Sequence, residues 1–352
     1  MTLLWAGFLL GCAFGVAARL GRFCLLRGLS ERQAGGSAPA LRAFALALAV
    51  ALVASQALAW SGLADLETAQ VVRPGFSVFG VLLGGLLFGA GMALARHCGA
   101  RALVLVAGGN LRSLVTLLCL GLAAQATLTG VLAPVRQSLQ SWGMIALPQA
   151  ALPQWLMAQG VPVGVATVGA AVLPALLLAA YALRSARGNG LALVCGAVIG
   201  LLVSAGWWIT AQVGVDPFEP AALTSLSFIG PVAEGLLYLQ LAVGRGATLG
   251  AVIVAGTLTG ALAAALLTRS TRWEGFDRPS RLAASAGGGL LMGFGGVLAV
   301  GCSIGQGLSG LSTLAFASAP ACLGIVAGAL FILRLQSAVS KNESQEVHHA
   351  TT

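Results

Sequence analysis

Charge is what this sequence has least of. Of 352 residues only 29 are ionic, 19 Lys or Arg and 10 Asp or Glu, where a soluble domain carries roughly a quarter. A water-facing surface cannot be built from so few, which excludes a soluble globule. There is no C-x-x-C pair among the seven cysteines and no nearby cluster of His or carboxylate, so zinc, iron–sulfur and disulfide frameworks lack their signatures. The 49 glycines follow no strict period and the 12 prolines are scattered, which excludes a collagen-like array, and low charge is the opposite of a disordered composition. The net charge of +9 is spread over arginines that stand singly between apolar runs, the distribution of topogenic charge and not of a nucleic-acid surface.

What is present is apolar. Hydrophobic residues make up 58% and the mean hydropathy is +0.94, so lipid is the solvent. A helix needs about 20 apolar residues to cross the hydrocarbon, and nine such stretches occur, near 3–18, 41–61, 76–95, 113–133, 161–183, 189–213, 247–268, 283–301 and 313–336. A tenth, 221–243, is interrupted by Pro231 and Glu234 and preceded by Pro217 and Pro220; it reads as short, tilted or surface-lying helix. The first span has no basic region before it and runs into Arg19 and Arg22, unlike a cleaved signal. The positive-inside rule tests the count. With the N-terminus outside and nine spans, 16 basic residues fall on one side and only Arg73, Arg136 and Arg245 on the other. A tenth crossing would leave 11 against 8. The expected fold is therefore an all-α polytopic membrane protein with about nine spans plus short re-entrant half-helices, the N-terminus outside and the C-terminus cytoplasmic.

The chain also repeats. Residues 85–98, GLLFGAGMALARHC, align without a gap on 289–302, GLLMGFGGVLAVGC, with eight of fourteen positions identical, three glycines and a cysteine among them. Gly7 and Gly11 of the first span are echoed by Gly196 and Gly200 of the sixth. This divides the chain into a four-span unit (1–135), a linker with a central span (136–188), a second four-span unit (189–337) and a polar tail (338–352). Five crossings separate the copies, so equivalent helices run in opposite directions, the inverted repeat of transporters, whose substrate sites lie on helices broken by glycine or proline.

Cys12, Cys119, Cys195 and Cys322 sit inside spans among Leu, Ala and Gly and read as small apolar fillers. Cys98 and Cys302 each close a Gly-rich helix and open a second segment rich in glycine and hydroxyls. After Cys98 comes GARALVLVAGGN, from Gly99 to Asn110; after Cys302 comes SIGQGLSGLS, with Ser303, Gln306, Ser309 and Ser312 as donors. Such breaks free backbone N–H groups and favour an anion, and neither has an Asp or Glu beside it. Cys24, between Arg22 and Arg27, has its repeat equivalent near Phe228, where there is no cysteine. His97 could orient the neighbouring thiol or sit at an interface. Glu234, the one acid inside an apolar stretch, is a functional candidate by default, with helix capping or pairing to an arginine equally compatible.

GRFCLLRG around Cys24, ARHCGARALVLVAGGNL around Cys98 and AVGCSIGQGLSGLS around Cys302, in a nine-span inverted repeat, together resemble the YeeE/YedE family of sulfur-compound transporters, as does SFIGPVAEGLLYL in the second unit. The first loop departs from that family's pattern at Ala107 and Gly108. The resemblance implies uptake of thiosulfate across a bacterial inner membrane and no enzymatic step, cofactor or resident metal. It also implies a path lined by Cys24, Cys98 and Cys302, supported by Gly99, Asn110, Ser303, Gln306, Ser309 and Ser312, and often a small cytoplasmic sulfur-carrier protein as partner. Thiosulfate has a soft terminal sulfur that a thiol meets through S–H···S, while its oxygens suit N–H and O–H donors, and several weak stations in series admit an ion without trapping it. Three alternatives remain open in the sequence: a membrane thiol oxidoreductase cycling a Cys98–Cys302 disulfide, a transporter of another sulfur or selenium anion, and a structural membrane subunit.

Overall fold

The computed structural model describes residues 1–184, 189–214, 222–244, 246–275 and 278–350, with side chains to residue 339. Pro217, Pro220, Arg187 and Arg245 lie outside the described residues, as do the side chains of the tail. The helices are α1 Thr2–Leu20, α2 Leu25–Gln33, α3 Pro39–Trp60, α4 Val78–Ala95, α5 Gly99–Val106, α6 Leu111–Leu128, α7 Ala133–Ser141, α8 Leu152–Ala158, α9 Ala170–Leu183, α10 Gly190–Gln212, α11 Ile229–Leu241, α12 Leu249–Leu267, α13 Pro279–Leu298 and α14 Ser318–Ala350. Two short π-helical turns, Val165–Gly169 and Gly305–Gly310, precede α9 and follow α13. The only paired strands among the described residues, β1 Gly75–Ser77 and β2 Met144–Ala146, are antiparallel.

Among the described residues nine helical segments are long and apolar enough to cross a membrane, and they coincide with the nine stretches read from composition. α11, in the doubtful tenth stretch, has 13 residues, about 20 Å at 1.5 Å per residue and short of a crossing. Glycine contacts fix its place. Gly11 and Gly15 of α1 pack on the carbonyls of Ile253 and Thr257, so α1 and α12 run parallel. Cys195 near the start of α10 lies against Gly21 at the end of α1, so those two are antiparallel. α12 therefore starts on the side where α10 ends, and α11 between them does not cross.

The helix pairings have the symmetry that an inverted repeat imposes. Exchanging α1 with α10, α3 with α12, α4 with α13 and α6 with α14 turns the α1–α12 pair into α10–α3 and the α4–α14 pair into α13–α6, and leaves α4–α13 unchanged; all five are major contacts. The repeated glycines make these contacts equivalent. Gly85 and Gly89 pack on the carbonyls of Ala321 and Ile325 in α14, and Gly289 and Gly293 on those of Thr116 and Leu120 in α6. Without β-carbons the backbones approach closely, which is how helices associate where lipid offers no hydrophobic drive. Where α4 crosses α13, Gly84, Gly91, Gly288 and Gly295 do the same.

Candidate functional site

Each of the three predicted cysteines sits at the same kind of break. Arg22, Arg96 and Val300 have φ of 47°, 64° and 60°, left-handed values that a residue with a β-carbon seldom adopts. In each case a cysteine follows two residues later. The turn ends one helix and redirects the chain, and Cys24 and Cys98 become the N-caps of α2 and α5. Cys302 precedes the π-helical turn Gly305–Gly310, and its Sγ accepts from the Gly305 N–H at 3.3 Å. The N–H groups of Arg27 and Arg101, likewise three residues on, act on the sulfurs of Cys24 and Cys98. The repeat counterpart of Cys24 is Phe228, the N-cap of α11, packed against Phe14 with ring centroids 4.8 Å apart.

The breaks converge. The three cysteines are 4%, 3% and 1% exposed, and all seven in the chain are free thiols. The Cys24 and Cys98 thiols lie within hydrogen-bonding reach of one another, and Cys302 is a near neighbour of Cys98. Beyond Cys24 a cavity of about 490 Å³ is lined by Arg27, Arg96, Arg101, His97, Ser30 and Glu31. Its one lining carboxylate, Glu31, is bound to Arg27 Nε at 2.7 Å. Beyond Cys302, on the opposite face, lie a cavity of about 370 Å³ bordered by Arg73, Val300 and Gln306 and one of about 80 Å³ bordered by Arg73, Ser227, Gly305 and Ser309. The cysteines thus stand between a basic cavity on one face and two cavities on the other.

The six expected supporting residues divide. Ser303 is buried and its hydroxyl has no partner among the described residues, a state costing about 1–3 kcal/mol. Gly99 is the first residue of α5, against Leu120. The other four are engaged in holding the breaks. Gln306 Nε2 donates to the carbonyls of Ala299 and Val300 at 2.9 and 3.0 Å, and its Oε1 accepts from Ser318 at 2.8 Å. Ser309 Oγ donates to Leu226 O at 2.7 Å. Ser312 Oγ donates to Ser309 O at 2.7 Å and accepts from Trp207 Nε1 at 3.2 Å. Asn110 caps α6 through Ser113 N at 3.0 Å, and its Nδ2 donates to Glu274. His97 is buried, with Nε2 3.2 Å from Ser113 Oγ and no partner at Nδ1 among the described residues. Ser113 Oγ also lies 3.2 Å from Asn110 Oδ1. Glu234 accepts from Thr248 Oγ1 at 2.7 Å, and Thr248 caps α12, so this acid holds the capping hydroxyl.

Arg73 and Ser227 were not singled out in the sequence as site residues. Arg73 entered only as one of three cations on the sparse side. Ser227 opens the SFIGPVAEGLLYL segment, almost eighty positions before Gly305.

The geometry is that of a membrane protein with thiol-bearing helix breaks between cavities on its two faces, and comparison with known proteins agrees. The thiosulfate transporter TsuA of Escherichia coli (strain K12) is 25% identical over 320 residues, 87% of each chain. A family model described as sulphur transport matches residues 20–331, a stretch that takes in all three cysteine breaks. The chain belongs to that sulphur transport family, the YeeE/YedE family that its cysteine motifs resemble.

Proposed function

We propose that this transporter takes up thiosulfate, passing the ion from the Arg73 face through Cys302, Cys98 and Cys24 to the basic cavity. The observation that carries the reading is the row of three buried thiols, each two residues past a left-handed turn, with cavities at both ends. A thiol offers a weak donor without a full charge. A dianion moving past three of them exchanges one S–H···S contact for the next and is not trapped, as passage requires. The half-helices α2 and α5 turn their N-termini, and so their positive ends, toward Cys24 and Cys98. In this reading the N-terminus is outside and the C-terminus cytoplasmic in a bacterial inner membrane, so that the arginine-rich face is cytoplasmic. A small sulfur-carrier protein receiving the ion there is part of the same proposal, as are two units, 1–135 and 189–337, joined by the span within 136–188.

The test is uptake of labelled thiosulfate by cells carrying single variants. Cys24→Ala, Cys98→Ala and Cys302→Ala should each lose uptake while staying in the membrane at normal level. Undiminished uptake by Cys98→Ala or Cys302→Ala would remove the thiol path. Competition by sulfite, sulfate and selenium oxyanions against the label tests the cargo.

A further inference from the structure

Outside the cysteine path, on the arginine-rich face, a cavity of about 220 Å³ lies where α1 ends and α3 and α10 begin. Its polar lining is Arg22, Arg27 and Asn189, and no carboxylate borders it. These donors are largely unspent. Arg19, three residues before Arg22, donates to Val104 O at 3.3 Å and Ser270 O at 2.8 Å, and Arg101 donates to Ala18 O at 3.3 Å. Arg22 is exposed and has no hydrogen-bond or ion-pair partner among the described residues. Arg27 gives its Nε to Glu31 Oε1 at 2.7 Å and keeps its terminal nitrogens free among the described residues. Glu31 is occupied in turn, since its Oε2 accepts from the Ala40 N–H at 3.2 Å. Asn189 precedes α10 and makes no side-chain capping bond, and the first turn of that helix, with Leu191 and Ala192 in the cavity wall, carries N–H groups that have no partner within the helix.

The rim of the cavity faces lipid. Leu20 and Leu191 line it and are themselves exposed. From Leu191 an exposed apolar stripe continues along α10 through Val194, Val198 and Leu201, the three- and four-residue spacing of one helix face. Those ten residues rise about 15 Å at 1.5 Å per residue, half of a hydrocarbon core of roughly 30 Å. A cluster of unpaired donors therefore stands at the head of an apolar track one leaflet long.

We propose that this cavity holds the headgroup phosphate of an anionic glycerophospholipid, with an acyl chain laid along α10. The guanidinium of Arg22 presents parallel N–H donors that match two phosphate oxygens, while Arg27 and the α10 N-terminus add positive potential from the other sides. A soluble anion would use the donors alone; the adjoining stripe selects a molecule with a tail. In the orientation proposed above, the cavity opens on the cytoplasmic leaflet, where anionic lipids meet basic pockets between helices. Arg27 also lines the basic cavity, so the bound lipid adjoins the inner end of the path.

The experiment titrates delipidated full-length protein in detergent with phosphatidylglycerol and counts bound lipid by native mass spectrometry, with folding checked by gel filtration. The first phosphatidylglycerol should bind at least fivefold more tightly than zwitterionic phosphatidylethanolamine, and millimolar inorganic phosphate should not displace it. Arg22→Asn, a residue that tolerates the left-handed turn, should weaken phosphatidylglycerol binding about fivefold, the share of one arginine near an anionic lipid surface, and Arg22→Lys should recover part of the loss. Arg272→Gln removes the same charge from the same face outside the cavity and should change binding less than twofold. Equal binding of the two lipids, or equal weakening by Arg22→Asn and Arg272→Gln, would overturn the site. Displacement by inorganic phosphate would make it a site for soluble anions and overturn the lipid. The lipid comparison and the phosphate competition use the unaltered protein, so they decide the matter even where Arg22→Asn fails to fold.

Discussion

The two central breaks begin from nearly the same sequence and end as different structures. Up to Ala95 and Ala299 the repeated segment builds the same helix and packs its glycines against equivalent carbonyls. Arg96 and Val300 then adopt the same left-handed turn, and here the copies part. After Arg96 and His97 the chain opens on the basic cavity and starts a regular helix, α5. After Val300 and Gly301 it enters a fully buried π-helical turn bound by Gln306, Ser309 and Ser312. Packing is therefore duplicated while polarity is not. Two substituted residues per break put Arg96 and His97 beside a basic cavity in one copy and Val300 and Gly301 before a buried π-helical turn in the other.

The strongest blow to this comparison strikes what the copies share. A β-carbon at Gly89 or Gly293 would overlap the backbone carbonyl of Ile325 or Leu120, and backbone cannot yield as a side chain does. Overpacking costs about 1–3 kcal/mol and more where the obstacle is rigid. Gly89→Val and Gly293→Val should both abolish a monodisperse folded peak in detergent gel filtration, and to a similar degree. Gly287→Val, on the same helix with nothing within 4 Å, should fold normally. A mild effect at one of the two sites and a severe one at the other would show the packing to be unequal.

Next in size is a residue that one break has and the other lacks. Gln306 corresponds in the repeat to Ala102. Its side chain satisfies the carbonyls of Ala299 and Val300 and holds Ser318. Gln306→Ala should cost about 2–3 kcal/mol, at about 1 kcal/mol for each lost bond, read as a drop in thermal melting temperature of the detergent-solubilised protein. A loss under about 0.5 kcal/mol would mean the π-helical turn holds itself by backbone bonds alone.

This asymmetry marks where sequence reading stops. Nine spans, the non-crossing α11 and the breaks at Cys98 and Cys302 follow from apolar run length, arginine bookkeeping and aligned glycines, because lipid burial and close helix approach leave their mark residue by residue. Polar side chains near a break read as free donors in sequence, since nothing local tells an anion contact from a bond to a carbonyl. Gln306, Ser309, Ser312 and Asn110 proved to be spent on the backbone and on capping. Ser303 alone of the six keeps an unpaired hydroxyl among the described residues. Arg73 and Ser227 border one cavity from loops far apart in the chain, a proximity that no local pattern marks.

The smallest effect separates backbone from charge within the shared turn. Asn tolerates the left-handed region better than other residues with a β-carbon, so Arg96→Asn and Val300→Asn should both preserve the turn, with stability changed by less than about 0.5 kcal/mol. Transport should tell them apart. Arg96 is an exposed cation lining the basic cavity, and losing one such charge is worth about 0.5 kcal/mol, or roughly a twofold to threefold fall in thiosulfate uptake at low salt. Raised ionic strength should erase that difference by screening the wild-type cavity. Val300→Asn removes no charge and should take up thiosulfate at the wild-type rate. Equal losses in the two variants would mean that the turn itself, and not the cation it presents, governs uptake.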